Sequence, residues 1–383
     1  MAVSKRKPKV KPVDEVVESV DNSVENVAEE PVVDKKKELQ NLADSLNKKF
    51  SEVEGEKVIT LGFPAYVDKT VKRIPTGSFS LDIALGGGLP LGRYIEISGD
   101  FSSTKTTQAL HILREAQKAG LTCAYIDVEG TTDENYAESL GVDVDSLLYT
   151  RPDSLEEATQ IVLDLQRSQQ VQFAVLDSIA AMTPNKEQDK NMNENMQMGI
   201  PQKLLSEFFR KYQANNNRLS RRGANDFTLI GINQIREKIG VMFGDTTYTP
   251  GGRAKGFTAS VDLRLRRGDW ISEGTGSNKE IVGQVVKFKI EKNKTYKRMQ
   301  TGEFDFYFSE NEAGIPEGFN DNMKEVILNA VLYDVIKRKG AYYTYGDLQF
   351  KGSANLIETL KNDTALVEEL KKEVMRVAFL RNE

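Results

Sequence analysis

The segment Gly99-Asp100-Phe101-Ser102-Ser103-Thr104-Lys105-Thr106-Thr107 carries the residue types that can cradle a polyphosphate. It follows the apolar run from Tyr94 to Ser98 and opens a helical pattern, so strand, turn and helix are expected in that order. Such a turn aims successive backbone N–H groups at one point, and the helix N-terminus adds partial positive charge. Lys105 would neutralise the β and γ phosphates, and the Thr106 hydroxyl would ligate Mg²⁺. Gly99, Ser102, Ser103, Thr104 and Thr107 would complete the cradle. The spacing satisfies G-x-x-x-x-G-K-[ST] except that Thr104 stands where the second glycine belongs. If the backbone there needs φ > 0, a β-branched residue costs about 1–3 kcal/mol. Either binding is weakened or the loop takes a tolerated geometry, and an ordinary strand–turn–helix has the same outline.

Three further strand ends carry groups suited to the same chemistry. Phe173-Ala174-Val175-Leu176-Asp177-Ser178 is an apolar run ending in a carboxylate that could reach hydrated Mg²⁺; a buried strand closed by an aspartate cap looks the same. Asp127-Val128-Glu129 ends another run, and Glu129 at the C-terminal edge of a parallel sheet could deprotonate an attacking water. A solvated strand end is the plain alternative. Asn233-Gln234 ends a third, where the neutral amide of Gln234 could hydrogen-bond a γ-phosphate and pass its presence to the long loop that follows. Taken together, these strand ends favour a nucleotide-hydrolase fold, with Glu129, Lys105 and Gln234 as catalytic candidates and Thr106 and Asp177 at the metal.

The elements that must position these groups alternate in type. Apolar runs at 94–98, 123–128, 173–176 and 228–232 alternate with helical patterns at 107–119, 155–166 and 202–212, which predicts a mostly parallel sheet covered by helices. Val261–Arg267 and Ile281–Ile290 alternate with period two and are expected to extend that sheet with antiparallel strands. Residues 36–50 place Leu39, Leu42, Leu46 and Phe50 on one face of an amphipathic helix, and Val58–Leu61 reads as a strand, giving a small helix–strand module over 36–74. Residues 1–35, basic and then acidic and Val-rich, are expected to form a disordered arm. The core spans 75–315, and 316–383 forms a small α+β C-terminal domain with an aromatic hairpin at Ala341–Phe350.

Composition narrows the chemistry. The 383 residues include one cysteine, Cys123, and one histidine, His111, which excludes an internal disulfide framework, a multi-cysteine zinc site and Cys/His catalysis. No apolar run approaches the ~18 residues of a membrane span, and a soluble, intracellular protein is expected. The net charge of −5 offers no global attraction to nucleic acid, so a DNA site would have to rest on local clusters of Lys and Arg.

With these residues in view, the chain resembles the bacterial RecA family from about Leu39 to its C-terminus. The most specific stretch is Asn233-Gln234-Ile235-Arg236-Glu237-Lys238-Ile239-Gly240-Val241-Met242-Phe243-Gly244, which is similar to the start of the family's second DNA-binding loop. The segments Pro75–Gly86 and Lys339–Tyr345 match other family signatures. The resemblance implies a RecA-like P-loop NTPase core, with ATP and Mg²⁺ bound between protomers of a helical filament. It also implies DNA-stimulated ATP hydrolysis, filament formation on single-stranded DNA, pairing with homologous duplex and strand exchange.

By the same resemblance, Asp133 and Tyr136 contact the adenine, and Lys292 and Lys294 reach the nucleotide of the neighbouring subunit. Phe243 and Phe257 relay its presence, and the N-terminal module packs on the adjacent protomer. The loop from about 184 to 198 and the loop 235–256 would grip the first strand, through Met198, Gly199, Arg236, Lys238, Ile239, Gly251, Gly252 and Arg253. Met198 and Ile239 would act as wedges between base triplets. Arg266, Arg267, Lys287 and Lys289 match the weaker site for the incoming duplex; strands with such charges are also commonly just solvated.

The chain departs from the family pattern at Thr104, at Gly130, where a histidine is usual, and at Gly256, where a lysine is expected. These departures describe a divergent member, bacterial or phage-encoded, acting in the bacterial or host cytoplasm. They also leave two rivals: a non-hydrolysing DNA-binding protein on the same fold, and a ring-forming helicase with a RecA-like core.

Overall fold

A computed structural model of the chain describes residues 32–51, 56–62, 71–188, 199–223, 227–238 and 247–380. Most of the expected N-terminal arm therefore lies outside the described residues. The backbone divides into two units, Met1–Pro64 and Ala65–Glu383.

In the first unit, α1 (Val32–Phe50) starts earlier than the apolar repeat from Lys36 predicts. Leu39, Leu42 and Phe50, all on the predicted apolar stripe, remain exposed. The strand expected at Val58–Leu61 does not form; these residues run through bends. Asn47 supplies the reason. Its side-chain amide donates to the Ile59 carbonyl and accepts the Ile59 N–H, both at 2.8 Å, so the two backbone groups a ladder would use at that residue are already bonded.

The second unit begins with β1 (Arg73–Ile74), α2 (Phe79–Leu85) and β2 (Leu89–Pro90), the two strands pairing antiparallel. Then follow β3 (Tyr94–Gly99), α3 (Lys105–Lys118), β4 (Cys123–Asp127), α4 (Glu134–Ser139), β5 (Leu148–Thr150), α5 (Leu155–Ser168) and β6 (Phe173–Asp177). After α6 (Asn185–Gln188) and α7 (Ile200–Arg221) come β7 (Thr228–Gln234), β8 (Arg236–Glu237), β9 (Thr247–Tyr248) and α8 (Gly252–Thr258). The sheet is completed by β10 (Val261–Glu273), β11 (Glu280–Asn293) and β12 (Thr301–Tyr307).

These strands form an eight-stranded sheet in the order β12-β11-β10-β3-β7-β6-β4-β5. Every neighbouring pair from β10 to β5 is parallel, while the pairs β10–β11 and β11–β12 are antiparallel, so only β11 runs against the rest. The expectation that β10 is antiparallel is thus corrected. Its lead-in from β7 passes through α8, a crossover that returns the chain parallel to β3, whereas β11 follows β10 directly as a hairpin. The edge strands β5 and β12 are not among the strands expected from the sequence.

Two cores lie on the two faces of this sheet. One gathers Ile95, Ile97, Leu110, Leu113, Leu263 and Val286, and the other Tyr94, Ala124, Leu176, Phe209, Tyr212 and Leu229. Residues that alternate along one strand, such as Tyr94 and Ile95, therefore separate into different cores, as a strand buried on both faces requires. The parallel register sets Gly99 opposite Gln234 and Asp127 opposite Asp177, so the strand ends with chemical potential share one edge.

The C-terminal segment comprises α9 (Asn322–Leu332), a three-stranded antiparallel sheet of β13 (Lys337–Lys339), β14 (Tyr342–Tyr345) and β15 (Leu348–Lys351), then α10 (Ser353–Asn362) and α11 (Thr364–Leu380). Phe79 and Ile83 of α2 share a core with Val326, Leu356, Leu370 and Val374. At that junction the buried Glu325 carboxylate accepts hydrogen bonds from Ser78 Oγ and the Ser80 N–H, each at 2.7 Å.

Burial raises the Glu325 pKa to about 7, against the pull of those bonds, and burial likewise raises neighbouring Asp82 to about 7. The fold therefore favours the protonated form of both groups. That stability is fully present below the ordinary carboxylate pKa and is lost as pH rises through 7. Thermal melts from pH 5 to 8 should show a falling Tm, and Glu325→Gln should make the fall shallower by a few degrees while Asp82 keeps the remainder. An equally steep fall in the variant would show that Glu325 is not the titrating group.

Candidate functional site

The phosphate-loop candidate lies where the sequence places it, between β3 and α3. Gly99 is demanded by close packing: a Cβ there would sit 2.3 Å from Ser103 Oγ and 2.5 Å from the Leu265 carbonyl oxygen. Ser102 and Thr104 both adopt left-handed backbone, with φ of 56° and 62°. Position 104 thus needs the geometry for which glycine is suited, and threonine adopts it. The Asp100 and Ser103 carbonyls of the loop are occupied from within. Ser103 Oγ and Lys105 Nζ each donate to the Asp100 carbonyl at 2.7 Å, and Thr104 Oγ1 donates to the Ser103 carbonyl at 2.7 Å. Burial lowers the Lys105 pKa, opposed by the negative charges of Asp177 and Glu129.

At the same edge the Asp177 carboxylate accepts hydrogen bonds from Thr106 Oγ1 and Tyr125 OH, both at 2.8 Å. Burial raises its pKa to about 6 in spite of those bonds, leaving it mainly ionised at neutral pH. A hydroxyl and a carboxylate on one spot are hard oxygen ligands. Among the described residues no cluster of three His, Cys, Asp or Glu could hold a metal ion by itself. This donor set fits Mg²⁺, which keeps waters and takes its remaining ligands from phosphate oxygens.

Glu129 is exposed at the neighbouring strand end, and its carboxylate accepts from Ser178 Oγ at 2.5 Å and Gln234 Nε2 at 3.1 Å. Glu129, Asp177 and Gln234, each named from a separate segment, are therefore brought together. Asp133 caps α4 by accepting the Tyr136 N–H at 3.1 Å, and the Tyr136 hydroxyl lies 3.1 Å from Thr107 Oγ1 at the start of α3.

Several positioning groups were not legible beforehand. Asp127 accepts the N–H groups of Gly130 (2.7 Å) and Thr132 (3.0 Å) and the Tyr149 hydroxyl (2.9 Å), which fixes the turn that carries Glu129. Burial works to raise its pKa, but these bonds prevail and hold it below the usual value. Gly130 has φ of +65°, the left-handed region open to glycine at no cost. Tyr125 and Ser178 give no signal in a linear sequence, since only the fold brings their hydroxyls to the two carboxylates.

The DNA-binding candidates are dispersed along the loop that begins at Gln234. Met198, Ile239 and Phe243 lie outside the described residues. Gly199 starts α7 with φ of +97°, and Gly251 starts α8 with φ of +109°. Arg236, Gly252 and Arg253 are exposed, and Arg236 lies in the short ribbon that β8 forms with β9, a segment expected to be structureless. Lys238 follows that ribbon. The foot of the loop is fastened by charge: buried Lys255 of α8 ion-pairs with buried Glu96 of β3, and Asn233 Nδ2 donates to Glu96 at 3.1 Å and to the Pro250 carbonyl at 2.9 Å.

On β10 and β11, Arg266 stands opposite Lys287, and Arg264 opposite Lys289. Glu291 lies 3.5 Å from Arg264 and 3.3 Å from Lys289. Arg267 alternates away from this basic ladder, and its guanidinium lies 4.6 Å from the Trp270 ring centroid. It is therefore separated from the other three charges with which the sequence grouped it. Lys292 and Lys294 gather at the C-terminal end of α8. Lys292 Nζ donates to the Gly256 carbonyl and Lys294 Nζ to the Phe257 carbonyl at 2.9 Å, while the Phe257 side chain is exposed.

The fold and this edge define the class: an α/β protein with a nucleotide-type phosphate loop at the carboxyl end of a mostly parallel sheet. The RecA N-terminal domain model matches residues 37–313, and the RecA C-terminal domain model matches 324–378. The chain is 38% identical over 343 residues to Protein RecA of Lactobacillus johnsonii, covering 89% of each chain. It is 39% identical over 346 residues to Protein RecA of Porphyromonas gingivalis, covering 90% of this chain and 96% of that one. A solved RadB recombinase is similar at 20% identity and a TM-score of 0.43, over 63% of this chain and 98% of that one. The chain belongs to the RecA family of recombination proteins. Among the described residues no helix is long and apolar enough to cross a membrane.

Thr104 holds the left-handed backbone that glycine adopts without strain, so threonine there is a cost to the fold. Thr104→Gly should raise Tm by about one or two degrees, the relief being partly offset by the flexibility of glycine in the unfolded chain. Titration with a fluorescent ATP analogue should show an affinity change of less than about threefold, under ~0.7 kcal/mol. A tenfold gain would show instead that the loop must change conformation to bind.

Proposed function

We propose that this chain is a DNA-dependent ATPase that forms a helical filament on single-stranded DNA, pairs it with homologous duplex and promotes strand exchange. The observation that carries this reading is the union of Lys105, Thr106, Glu129, Asp177 and Gln234 at one sheet edge, with Gln234 leading directly into the basic loop 235–256.

In this reading Lys105 neutralises the β and γ phosphates of ATP, and Thr106 with Asp177 holds Mg²⁺. An ion held by these two residues would supply positive charge against that developing on the phosphates. Glu129 takes a proton from the attacking water, and the hydrogen bonds from Ser178 and Gln234 keep its carboxylate aimed. Gln234 exchanges its bond to Glu129 for the γ-phosphate, and that choice moves the loop. Gly99, Ser102, Ser103, Thr104 and Thr107 line the phosphates, while Asp133 and Tyr136 take the adenine beside α3.

The nucleotide lies between protomers, with Lys292 and Lys294 of one protomer reaching the ATP of the next and residues 36–74 docking on the adjacent subunit. The exposed Leu39, Leu42 and Phe50 support that docking, since an apolar stripe left in water favours burial. Residues 75–315 form the ATPase core and 316–383 a C-terminal domain. DNA is held by loops 184–198 and 235–256 through Met198, Gly199, Arg236, Lys238, Ile239, Gly251, Gly252 and Arg253. The incoming duplex meets Arg266, Lys287 and Lys289, with Arg267 on the other face of β10. Contacts of this kind go to phosphates and accept any sequence, and base pairing does the homology test. The protein acts in the bacterial cytoplasm, or in that of a host if phage-encoded.

ATP turnover measured with and without single-stranded DNA tests the reading. DNA should stimulate the wild type, and Glu129→Gln should lose at least ~100-fold in stimulated turnover while ATP-dependent DNA binding persists. Wild-type turnover no higher than that of Glu129→Gln at every DNA concentration would leave a DNA-binding protein that does not hydrolyse ATP.

A further inference from the structure

We infer that Gln284, on the central strand of the antiparallel edge, is the positioning residue that holds the phosphate loop in its strained, binding-ready form. The inference rests on the proposed nucleotide role of that loop. Its Nε2 donates to the Ser102 carbonyl at 2.9 Å, across 182 residues of sequence, and the side chain is only 3% exposed. Polar side chains are seldom buried to this degree without a bonding role.

The bond meets the loop where it is least able to hold itself. Ser102, with φ of 56°, and Thr104, with φ of 62°, are two non-glycine residues in left-handed backbone within three positions. L-residues leave this region readily. Serine and threonine side chains inside the loop occupy the carbonyls of Asp100 and Ser103, but the carbonyl of Ser102 is held from outside. A carbonyl turned towards a polyphosphate repels it, whereas the nest that binds anions needs carbonyls turned away and N–H groups converging. Gln284 draws the Ser102 carbonyl outward and leaves the N–H groups inward.

The anchor is paired on both sides. Gln284 pairs with Trp270 on β10 and Phe306 on β12, so it sits mid-sheet and not on a mobile end. Alternation along β11 puts Gln284 with Val286 and Phe288 on the core face, and Lys287 and Lys289 on the other. One strand thus carries the loop's anchor on one face and the basic ladder on the other.

The test is nucleotide affinity, measured with a fluorescent ATP analogue in the full chain together with thermal melts. Gln284→Met keeps the bulk and removes the donor; Gln284→Asn keeps an amide one methylene too short to reach Ser102. Each should weaken binding about fivefold to tenfold, the equivalent of one hydrogen bond of about 1–1.4 kcal/mol. In a Ser102→Gly background, where left-handed backbone carries no strain, the same substitutions should cost less than about twofold. Wild-type affinity in either folded variant, or an equal loss in both backgrounds, would overturn the inference. Should Gln284→Met fail to fold, Gln284→Asn alone decides between these outcomes. Lys105→Ala separates the two: if the wild type does not bind the analogue, or Lys105→Ala binds it equally, the nucleotide assignment fails and this inference with it, whereas loss at Lys105→Ala beside wild-type affinity in the Gln284 variants overturns the inference alone.

Discussion

One carboxylate joins the parts of this site. Asp177 Oδ2 accepts the hydroxyls of Thr106 and Tyr125, while its backbone carbonyl accepts the N–H groups of Val128 at 2.7 Å and Glu129 at 3.3 Å. The first turn of α3, the strands β4 and β6 and the turn bearing Glu129 are therefore referenced to one residue. Were Asp177 displaced, the phosphate loop and the proposed base would lose their common origin. Such a junction requires a parallel sheet, because only parallel strands bring successive carboxyl ends, and the loops that follow them, to one edge. The price is a buried charge, visible in the raised pKa of Asp177 and relieved in part by two hydroxyl donors.

The same sheet links the proposed nucleotide and DNA regions. Glu96 lies on β3 just ahead of the phosphate loop, and the Lys255 that pairs with it lies on α8 at the foot of the loop 235–256. Asn233, adjacent to Gln234, bonds both Glu96 and the Pro250 carbonyl. A buried lysine and glutamate are costly to separate, since either left alone is an uncompensated charge in the interior. They hold the start and end of the loop to the strand that leads into the proposed phosphate loop. Gln234, bonded to Glu129, lies between these two fastenings.

Much of this was legible in the sequence, for identifiable reasons. The phosphate loop, Asp177, Glu129 and Gln234 each close a strong apolar run, and a run followed by a polar group locates a strand end without any tertiary knowledge. The direction of β10 was not legible, because period-two alternation is the same for parallel and antiparallel strands; the crossover through α8 decides it. Val58–Leu61 has strand composition but lost its ladder to Asn47, a tertiary preference that overrides local propensity. The resemblance grouped Arg267 with Arg266, Lys287 and Lys289; neighbours on a strand face opposite ways, and Arg267 lies over Trp270. The bonds of Gln284 to Ser102 and of Lys255 to Glu96 join residues 182 and 159 positions apart, beyond any local pattern.

The claim on which this account turns is that Thr106 and Asp177 form the Mg²⁺ end of a nucleotide site. The most direct measurement is calorimetric titration of a non-hydrolysable ATP analogue into the wild type and Asp177→Asn, each with and without Mg²⁺, with melts to confirm folding. Mg²⁺ should tighten wild-type binding, and that enhancement should be lost in folded Asp177→Asn while the weak metal-free binding remains. Full retention of the Mg²⁺ enhancement in Asp177→Asn would contradict the account.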